Sequence, residues 1–170
     1  LYSVPYLYLR KQILHFSLFT FHYLMFGTTS LSASHFMADP NAVEYNGRMY
    51  VWATDDQQEY DFAGGLAQDS YGHISRLVCM STDDLVNWTM HDHIDVKAIA
   101  PWANCSWAPS VVSRVEGDGL THFYLYFTNG AASIGVLTAT QPTGPWTDPL
   151  GHALIDGNTP GLGQVSWIID

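Results

Sequence analysis

Short runs of alternating apolar and polar residues, separated by turn residues, cover most of the chain after residue 40. Residues 42–45 and 48–53 are two such runs on either side of Asn46-Gly47, and this dipeptide between two strands is a strong signal for a β-hairpin. By contrast, the polar, glycine-containing residues 54–72 predict a loop. The remaining predicted strands are residues 74–81, 109–115, 122–127 and 134–139. The pattern therefore predicts an all-β fold.

The predicted strands form two similar units. Asp39-Pro40 opens the first hairpin, and Ala108-Pro109 opens the second. In both units a third strand and a tryptophan-bearing segment follow. The two tryptophans hold similar places in their units, and we expect both in the core: Trp88 and Trp146. Four-stranded units that repeat at a spacing of roughly 60 to 70 residues are typical of β-propeller blades.

The strand opening recurs a third time and ends at Asp170. Its distance along the chain from Ala108 is similar to that between Asp39 and Ala108. Because the first strand of every propeller blade lines the central channel, we expect Asp39 and Asp170 to face one cavity. Pro40 is expected to hold Asp39 in an extended conformation. An isolated Asp-Pro is usually an ordinary turn, so this prediction depends on the repeat. Two complete units and the start of a third predict that residues 35–170 are a truncated, N-terminal portion of a propeller domain.

Residues 1–34 differ from the rest of the chain. Arg10 and Lys11 precede an apolar, aromatic run over residues 13–26, and small residues follow it at 28–34. A basic patch, an apolar core and a small-residue exit are typical of a secretory signal. The apolar run is short for a transmembrane helix. We therefore predict that residues 1–34 are a signal-like segment outside the domain and that the protein is secreted.

The charge of the chain excludes two classes of partner. Six Lys and Arg residues against 16 Asp and Glu residues give a formal net charge of -10. So few cations on an acidic protein are poorly suited to binding nucleic acid or an anionic membrane. A neutral partner fits better, and carbohydrate is the obvious neutral class. Cys79 and Cys105 show no metal-ligand or redox spacing, and the sequence leaves open whether they are free thiols or a disulfide.

Four segments of the chain are similar, in order and spacing, to motifs of one known family. They are His35-Phe36-Met37-Ala38-Asp39-Pro40 with Asn46-Gly47-Arg48-Met49-Tyr50-Val51-Trp52, then Asp83-Asp84-Leu85-Val86-Asn87-Trp88, Cys105-Ser106-Trp107-Ala108-Pro109-Ser110-Val111 and Trp167-Ile168-Ile169-Asp170. Together they resemble glycoside hydrolase family 43 over residues 35–170. The resemblance implies a five-bladed β-propeller enzyme that acts on arabinose- or xylose-containing plant polysaccharides such as arabinans, xylans and arabinoxylans.

The resemblance also implies catalytic roles. Asp39 corresponds to the general base that deprotonates the attacking water, and Asp170 to the aspartate that raises the pKa of the general acid. The general acid of the family is a glutamate, which we expect beyond the end of this chain. An inverting glycosidase places its acid and base about 6.5–9.5 Å apart, so that a water fits between them. The reaction requires no cofactor; an axial calcium occurs in some members, and no ligand set for it is readable here.

Four residues are candidates for contacting the sugar. Trp107 offers an aromatic platform for the apolar face of a sugar ring, or it packs between blades. His35 precedes Asp39, and Ser133 starts a strand of the second unit. Asp56 follows the second strand as part of an Asp55-Asp56 pair, which is more often solvated loop than part of a site.

Three functions remain open from the sequence. The leading hypothesis is an inverting glycosidase that cleaves arabinofuranosyl or xylosyl linkages. Met37-Ala38-Asp39-Pro40-Asn41 also resembles a segment of invertase-like, retaining fructosidases of the same fold. The third hypothesis is an inactive, sugar-binding half-propeller that lacks a general acid.

Overall fold

The computed structural model describes residues 35–64, 71–162 and 165–169. The prediction of a signal-like segment at residues 1–34 and the prediction for Asp170 lie outside the described residues. Within the described ranges, no helix is long and apolar enough to cross a membrane.

Antiparallel strands dominate the described ranges, which confirms the predicted all-β class. The elements are β1 (Ala38–Tyr45), β2 (Arg48–Thr54), α1 (Asp56–Phe62), β3 (Arg76–Thr82), β4 (Thr89–Met90), β5 (Ile94–Asp95), α2 (Val96–Ile99), β6 (Trp107–Val115), β7 (Thr121–Asn129), β8 (Ser133–Ala139) and β9 (Ile155–Asp156). The hairpin at Asn46-Gly47 is as predicted, and both residues have the positive φ, 53° and 79°, that its tight turn requires. The prediction of a loop over residues 54–72 is wrong at α1, whose short sequence carries no clear apolar period.

The strands form two sheets, which we call the first unit (β1 to β5) and the second unit (β6 to β9). In the first unit Ala38 pairs with Thr54, and Asn41 pairs with Trp52, so β1 has one residue more than its partner strand between these pairs. The second unit has the same bulge, with Ala108 and Pro109 of β6 opposite Phe127 of β7; the flanking pairs are Trp107 with Thr128 and Ser110 with Tyr126. Asp39 and Ala108 therefore occupy the same position in the two units.

The outer edges of the two units also correspond. In each unit the third strand pairs with two short pieces of chain. The paired residues of the third strand are separated by the same number of residues in both units. They are Ser81 with Thr89 and Leu77 with Ile94 in the first, and Thr138 with Thr147 and Ile134 with Ile155 in the second. This shared register confirms that the two units repeat, although the sheet of the first unit has five strands and that of the second unit has four. The two tryptophans precede Thr89 and Thr147, and of these Trp146 is buried in the core, whereas Trp88 is half-buried.

One apolar core lies between the two units. It includes Trp52, Leu77 and Cys79 from the first and Phe123 and Leu137 from the second. Polar contacts join the units at the edge of this core. The backbone N–H of Val111 donates to Asn41 Oδ1 at 2.8 Å, and that of Ala108 donates to Thr54 Oγ1 at 2.9 Å. These bonds satisfy backbone donors on β6, which would be costly to bury unpaired. Both described cysteines are buried free thiols: Cys79 and Cys105.

Gly135→Ala is expected to destabilise the fold by about 1–3 kcal/mol, because the core of the second unit has no room for a methyl group. A Cβ at Gly135 would lie 2.2 Å from the ring of Phe127, which is 1% exposed and cannot move aside freely. Urea unfolding measures the change. Gly157→Ala is the matched control, since nothing lies within 4 Å of its Cβ position. Equal stability of the two variants would contradict this account of the core.

Candidate active site

The β-bulge at the start of β1 positions Asp39. Its φ is 51°, in the left-handed region, and Ala108 at the same position of the second unit has a φ of 44°. The prediction that Pro40 holds Asp39 extended is therefore wrong. Proline restricts the backbone conformation of the residue before it, but here the bulge determines the conformation of Asp39. The left-handed conformation costs about 1–2 kcal/mol for a residue with a Cβ. A bulge turns a side chain out of the regular alternation of the strand, and Asp39 is exposed at this strand end.

Asp55, directly after β2, is fully buried and lies among three basic side chains. Its Oδ1 is 2.8 Å from His35 Nε2, and its Oδ2 is 3.1 Å from Arg76 Nε and 3.5 Å from His93 Nε2. The contact with Arg76 is an ion pair, since neither atom makes an aligned hydrogen bond. The interpretation of Asp55 as solvated loop is wrong, because a buried carboxylate needs such partners and the sequence does not show them.

The second unit also has a polar residue at this point, although it is only half-buried. Asn129 occupies the position of Asp55 in the second unit, one residue after Thr128. Its Oδ1 accepts hydrogen bonds from the backbone N–H groups of Asn104 and Cys105, at 2.9 and 3.0 Å. In both units this residue fastens the segment that leads into the first strand. The first unit differs because the residue at this position, Asp55, is charged and contacts His35 and Arg76.

His35, Asp55 and His93 could hold a metal ion by distance alone, since their ligand atoms lie within 4.8 Å of one another. Two observations argue for an ion-pair network instead. The Arg76 guanidinium already supplies a cation to the Asp55 carboxylate. The donor set also contains two imidazoles and one carboxylate, whereas calcium prefers six to eight oxygen ligands. We therefore assign this group to fastening the strand that carries Asp39.

Asp56 is a second carboxyl group at this end of the sheet. Burial is the main cause that raises its pKa to about 6, and the negative charges of Asp39 and Asp55 raise it further. The three aspartates lie at one end of β1 and β2, because Ala38 pairs with Thr54. Two hydrogen bonds join the segments before β1 and after β2: Gln57 N–H donates to the Phe36 carbonyl at 3.0 Å, and Phe36 N–H donates to the Gln57 side-chain Oε1 at 3.2 Å.

Trp107 lies at the start of β6, next to Ala108, whose N–H binds Thr54. Its ring is half-buried, its Nε1 donates to the Tyr71 carbonyl at 3.0 Å, and the Tyr71 ring meets it edge-on at 6.4 Å. These contacts fix the plane of the indole and leave part of it accessible. A fixed, partly exposed indole can stack on a sugar ring, so packing and binding are compatible for Trp107.

Ser133 lies in a different environment from the aspartates. It is 6% exposed, and its Oγ accepts from Asn129 Nδ2 at 3.2 Å within the second unit. It stands at the position that Arg76 occupies in the first unit, since Arg76 pairs with Asp95 and Ser133 with Asp156. The sugar contact that we predict for Ser133 is not tested by this arrangement. It would require a substrate to reach a buried hydroxyl.

The prediction for Asp170 lies outside the described residues, but a neighbour is informative. Ile168 N–H donates to the Ala131 carbonyl at 2.9 Å, and Ser106 N–H donates to the Ile74 carbonyl at the same distance. Ile74 and Ala131 are equivalent, because each lies three residues before a paired position of the third strand. Ile168 thus corresponds to Ser106, two residues before Ala108.

Sequence reasoning missed part of the site. Arg76 and His93 were not candidates, because both lie far along the chain from Asp55 and no motif links them to it. The only available signal was the repeat, because Asp55 stands where the second unit has the half-buried, polar Asn129. A charged residue at a buried polar position calls for basic partners.

Comparison with known proteins identifies the family. The sequence profile described as "Glycosyl hydrolases family 43" matches residues 32–163, which include the β1 bulge, the acidic residues after β2 and Trp107. The chain belongs to glycosyl hydrolases family 43. The family resemblance predicted from the motifs is therefore confirmed.

Related members of family 43 agree with this assignment. The chain is 42% identical over 145 residues, 80% of its length, to an arabinoxylan arabinofuranohydrolase of Bacillus subtilis, and 42% identical over 142 residues, 78% of its length, to one of Paenibacillus polymyxa. It also superposes with a TM-score of 0.75, at 41% identity, on the solved structure of a Bacillus subtilis arabinoxylan arabinofuranohydrolase in complex with cellotetraose, over 82% of this chain and 30% of that one. The match covers about a quarter of the length of the two curated relatives, 28% and 22%.

Proposed function

We propose that this protein is an inverting glycoside hydrolase that releases arabinofuranosyl groups from arabinoxylan. The observation that carries the proposal is Asp39 on the strained bulge of β1 in a chain of family 43. The two relatives at 42% identity are arabinoxylan arabinofuranohydrolases, which favours arabinofuranosyl over xylosyl linkages.

In this reaction Asp39 is the general base and Asp170 raises the pKa of the general acid. Asp39 is exposed and can reach a water at the strand end. The repeat position of Ile168 supports the role of Asp170, since counting two residues on from Ile168 reaches the position of Asp39 and Ala108. The general acid is a glutamate that we assign to no described residue. Glu59, for example, is buried and paired with His73 at 3.2 Å, so it is poorly placed to protonate a leaving group.

The substrate surface in this proposal combines one aromatic platform with polar groups. Trp107 stacks on a sugar ring, while Asp56 lies at the mouth of the site. His35 acts through Asp55, on which its Nε2 is already engaged. In this proposal Ser133 contacts the part of the substrate that lies against the second unit. The two sheets of equal register support blades of a propeller, with five blades implied by the family resemblance.

Partners and location follow from the same proposal. The net charge of -10 supports a neutral polysaccharide over nucleic acid or an anionic membrane. Action on plant polysaccharide suits a secreted protein, as the residues before position 35 predict. The hydrolysis needs no cofactor, and an axial calcium, if one binds, has no ligand assigned among the residues described here.

The test uses the full-length gene product and arabinoxylan. Proton NMR during hydrolysis reports the anomer that forms first, and we expect release of arabinose with inverted configuration. Retention of configuration, or hydrolysis of fructan in place of arabinoxylan, would support the fructosidase-like alternative and overturn the proposal. Binding of arabinoxylan without turnover would instead indicate a sugar-binding protein.

A further inference from the structure

The side chains of Tyr71 and Trp107 form a nearly perpendicular pair of rings. Their ring centroids lie 6.4 Å apart, and the angle between their planes is 73°. The Tyr71 ring is 50% exposed and the Trp107 indole is half-buried, so both rings keep accessible surface. Two accessible rings that meet in this way form a corner, with one ring as its floor and the other as its wall. We call this pair the aromatic corner.

The backbone of Tyr71 fixes the geometry of the aromatic corner. Its φ is 47°, in the left-handed region, which is rare for a bulky residue. The Tyr71 carbonyl accepts hydrogen bonds from Trp107 Nε1 at 3.0 Å and from Ile74 N–H at 3.3 Å. Strained residues persist only where the surrounding structure holds them, and they cluster at active sites and ligand clamps. The conformation of Tyr71 therefore points to a role in binding.

Two further contacts hold together the segments that carry the two rings. Ser106 N–H donates to the Ile74 carbonyl at 2.9 Å, and Cys105 Sγ donates to the Gly72 carbonyl at 3.6 Å. Together with the hydrogen bond of the indole, they fasten the two segments along their length. Groups that are held in place before binding lose little conformational entropy when a ligand binds. The aromatic corner is therefore preorganised.

The aromatic corner lies at the same end of the sheet as the candidate base. Ala108 follows Trp107, and its N–H donates to Thr54 Oγ1 at 2.9 Å. Thr54 pairs with Ala38, the residue before Asp39. Thr54 thus connects the strand end that carries Trp107 with the strand end that carries Asp39. A polymer bound at Asp39 therefore has the aromatic corner within reach.

The ring of Tyr71 is not needed to hold Trp107 in place. The hydrogen bond to the indole comes from the backbone carbonyl of Tyr71, which any residue at this position would supply. A ring that served only to cover the indole would be buried against it, whereas the Tyr71 ring is half exposed. The exposed surface of this ring is therefore available to a ligand.

We propose that Tyr71 is a substrate-binding residue, and that the aromatic corner holds one xylopyranose ring of the arabinoxylan main chain. The proposal rests on the proposed function, which supplies arabinoxylan as the substrate and places the arabinofuranosyl group at Asp39. The faces of a pyranose chair carry C–H groups that pack on an aromatic ring, and its rim carries hydroxyl groups. One ring of the corner receives the apolar face, while the other contacts the edge of the same sugar. The Tyr71 hydroxyl hydrogen-bonds a hydroxyl group at that edge.

Two features favour a ring of the main chain over the arabinofuranosyl group in the aromatic corner. A pyranose chair is rigid and has flat faces, whereas a furanose ring is puckered and offers less flat C–H surface for stacking. The arabinofuranosyl group must also lie at Asp39 to be cleaved, so the corner receives the part of the substrate that is not cleaved. Neither ring of the corner carries a charge, which suits a neutral polysaccharide.

Tyr71→Leu tests the proposal, because leucine keeps an apolar side chain against the indole and removes the aromatic ring and its hydroxyl. In the full-length protein we expect its Kd for xylotetraose, an unbranched piece of the main chain, to rise about 3–10-fold by calorimetry. With arabinoxylan, KM should rise by a similar factor at unchanged kcat, since the contact is the same in the ground state and the transition state. Tyr71→Phe keeps the ring and should bind xylotetraose more tightly than Tyr71→Leu.

A substrate without a main chain distinguishes this role from a structural one. Nitrophenyl arabinofuranoside has no xylose ring to place in the aromatic corner, so Tyr71→Leu should hydrolyse it with wild-type kcat/KM. Val86→Ala is the control, because it removes an exposed apolar side chain elsewhere in the first unit, and it should leave all these constants unchanged. Wild-type affinity of Tyr71→Leu for xylotetraose would overturn the proposal. An equal loss with the small substrate would overturn it too, because the ring would then support the fold.

The experiment also separates this proposal from the proposed function. If Tyr71→Leu weakens the binding of xylotetraose but the wild type hydrolyses no glycoside, the aromatic corner stands and the proposed function fails. If the wild type hydrolyses arabinoxylan but does not bind xylotetraose, the proposed function stands and the aromatic corner is refuted. Thermal unfolding should give Tyr71→Leu a Tm close to that of the wild type. A Tm far below it would show a structural ring and contradict the proposal.

Discussion

Asp39→Asn is expected to lower kcat for arabinoxylan hydrolysis by about 10²–10⁴-fold, the usual contribution of a positioned general base. Asparagine fits the same bulge, because it tolerates positive φ as well as aspartate does. It cannot accept a proton from water. The loss should appear in kcat with little change in KM, since Asp39 acts on the water and does little to hold the sugar. Initial rates with an arabinofuranosyl substrate measure both constants.

Rescue by azide distinguishes loss of the general base from loss of the folded structure. Azide is already a nucleophile and needs no deprotonation, so it should restore turnover in Asp39→Asn and give an azido sugar of inverted configuration. Asp92→Asn, at an exposed site, should retain wild-type kcat. Turnover by Asp39→Asn at the wild-type rate would refute the role of Asp39 as base.

The sequence predicted the repeat well because strand pairing is local. Asn46-Gly47 determines a hairpin within a few residues, and alternation then sets which face of the strands is buried. The bulges at Asp39 and Ala108 were visible only as two residues before proline. Their positive φ depends on pairing with β2 and β7, and no propensity of aspartate or alanine encodes it.

The buried charge network was beyond sequence reasoning for a different reason. Asp55 looks like a loop residue because its neighbours Asp56 and Gln57 are polar. Its burial follows from Arg76 and His93, which come from β3 and the segment before β5. Such partners are brought together only by the order of strands in the sheet. Burial of a charged residue therefore could not be inferred before the sheet was known.

The network also connects stability with the candidate site. Asp55 binds His35, four residues before Asp39, and Arg76 on the adjacent third strand. A residue with φ of 51° persists only where the surrounding structure holds it. The contacts of Asp55 with His35 and Arg76 supply that restraint next to the bulge. We infer that the buried aspartate serves the geometry of Asp39 as well as the stability of the first unit.

Asp55→Ala is accordingly expected to reduce the free energy of unfolding by about 3–5 kcal/mol, the usual cost of removing one partner from a buried ion pair. The substitution leaves Arg76 and two histidines without the carboxylate that they surround. Denaturant unfolding followed by tryptophan fluorescence measures the loss. Asn129→Ala, at the equivalent position of the second unit, removes three hydrogen bonds but no charge and should cost only about 1–3 kcal/mol. Equal losses for the two variants would show that the charge of Asp55 adds nothing to its role as a fastening residue.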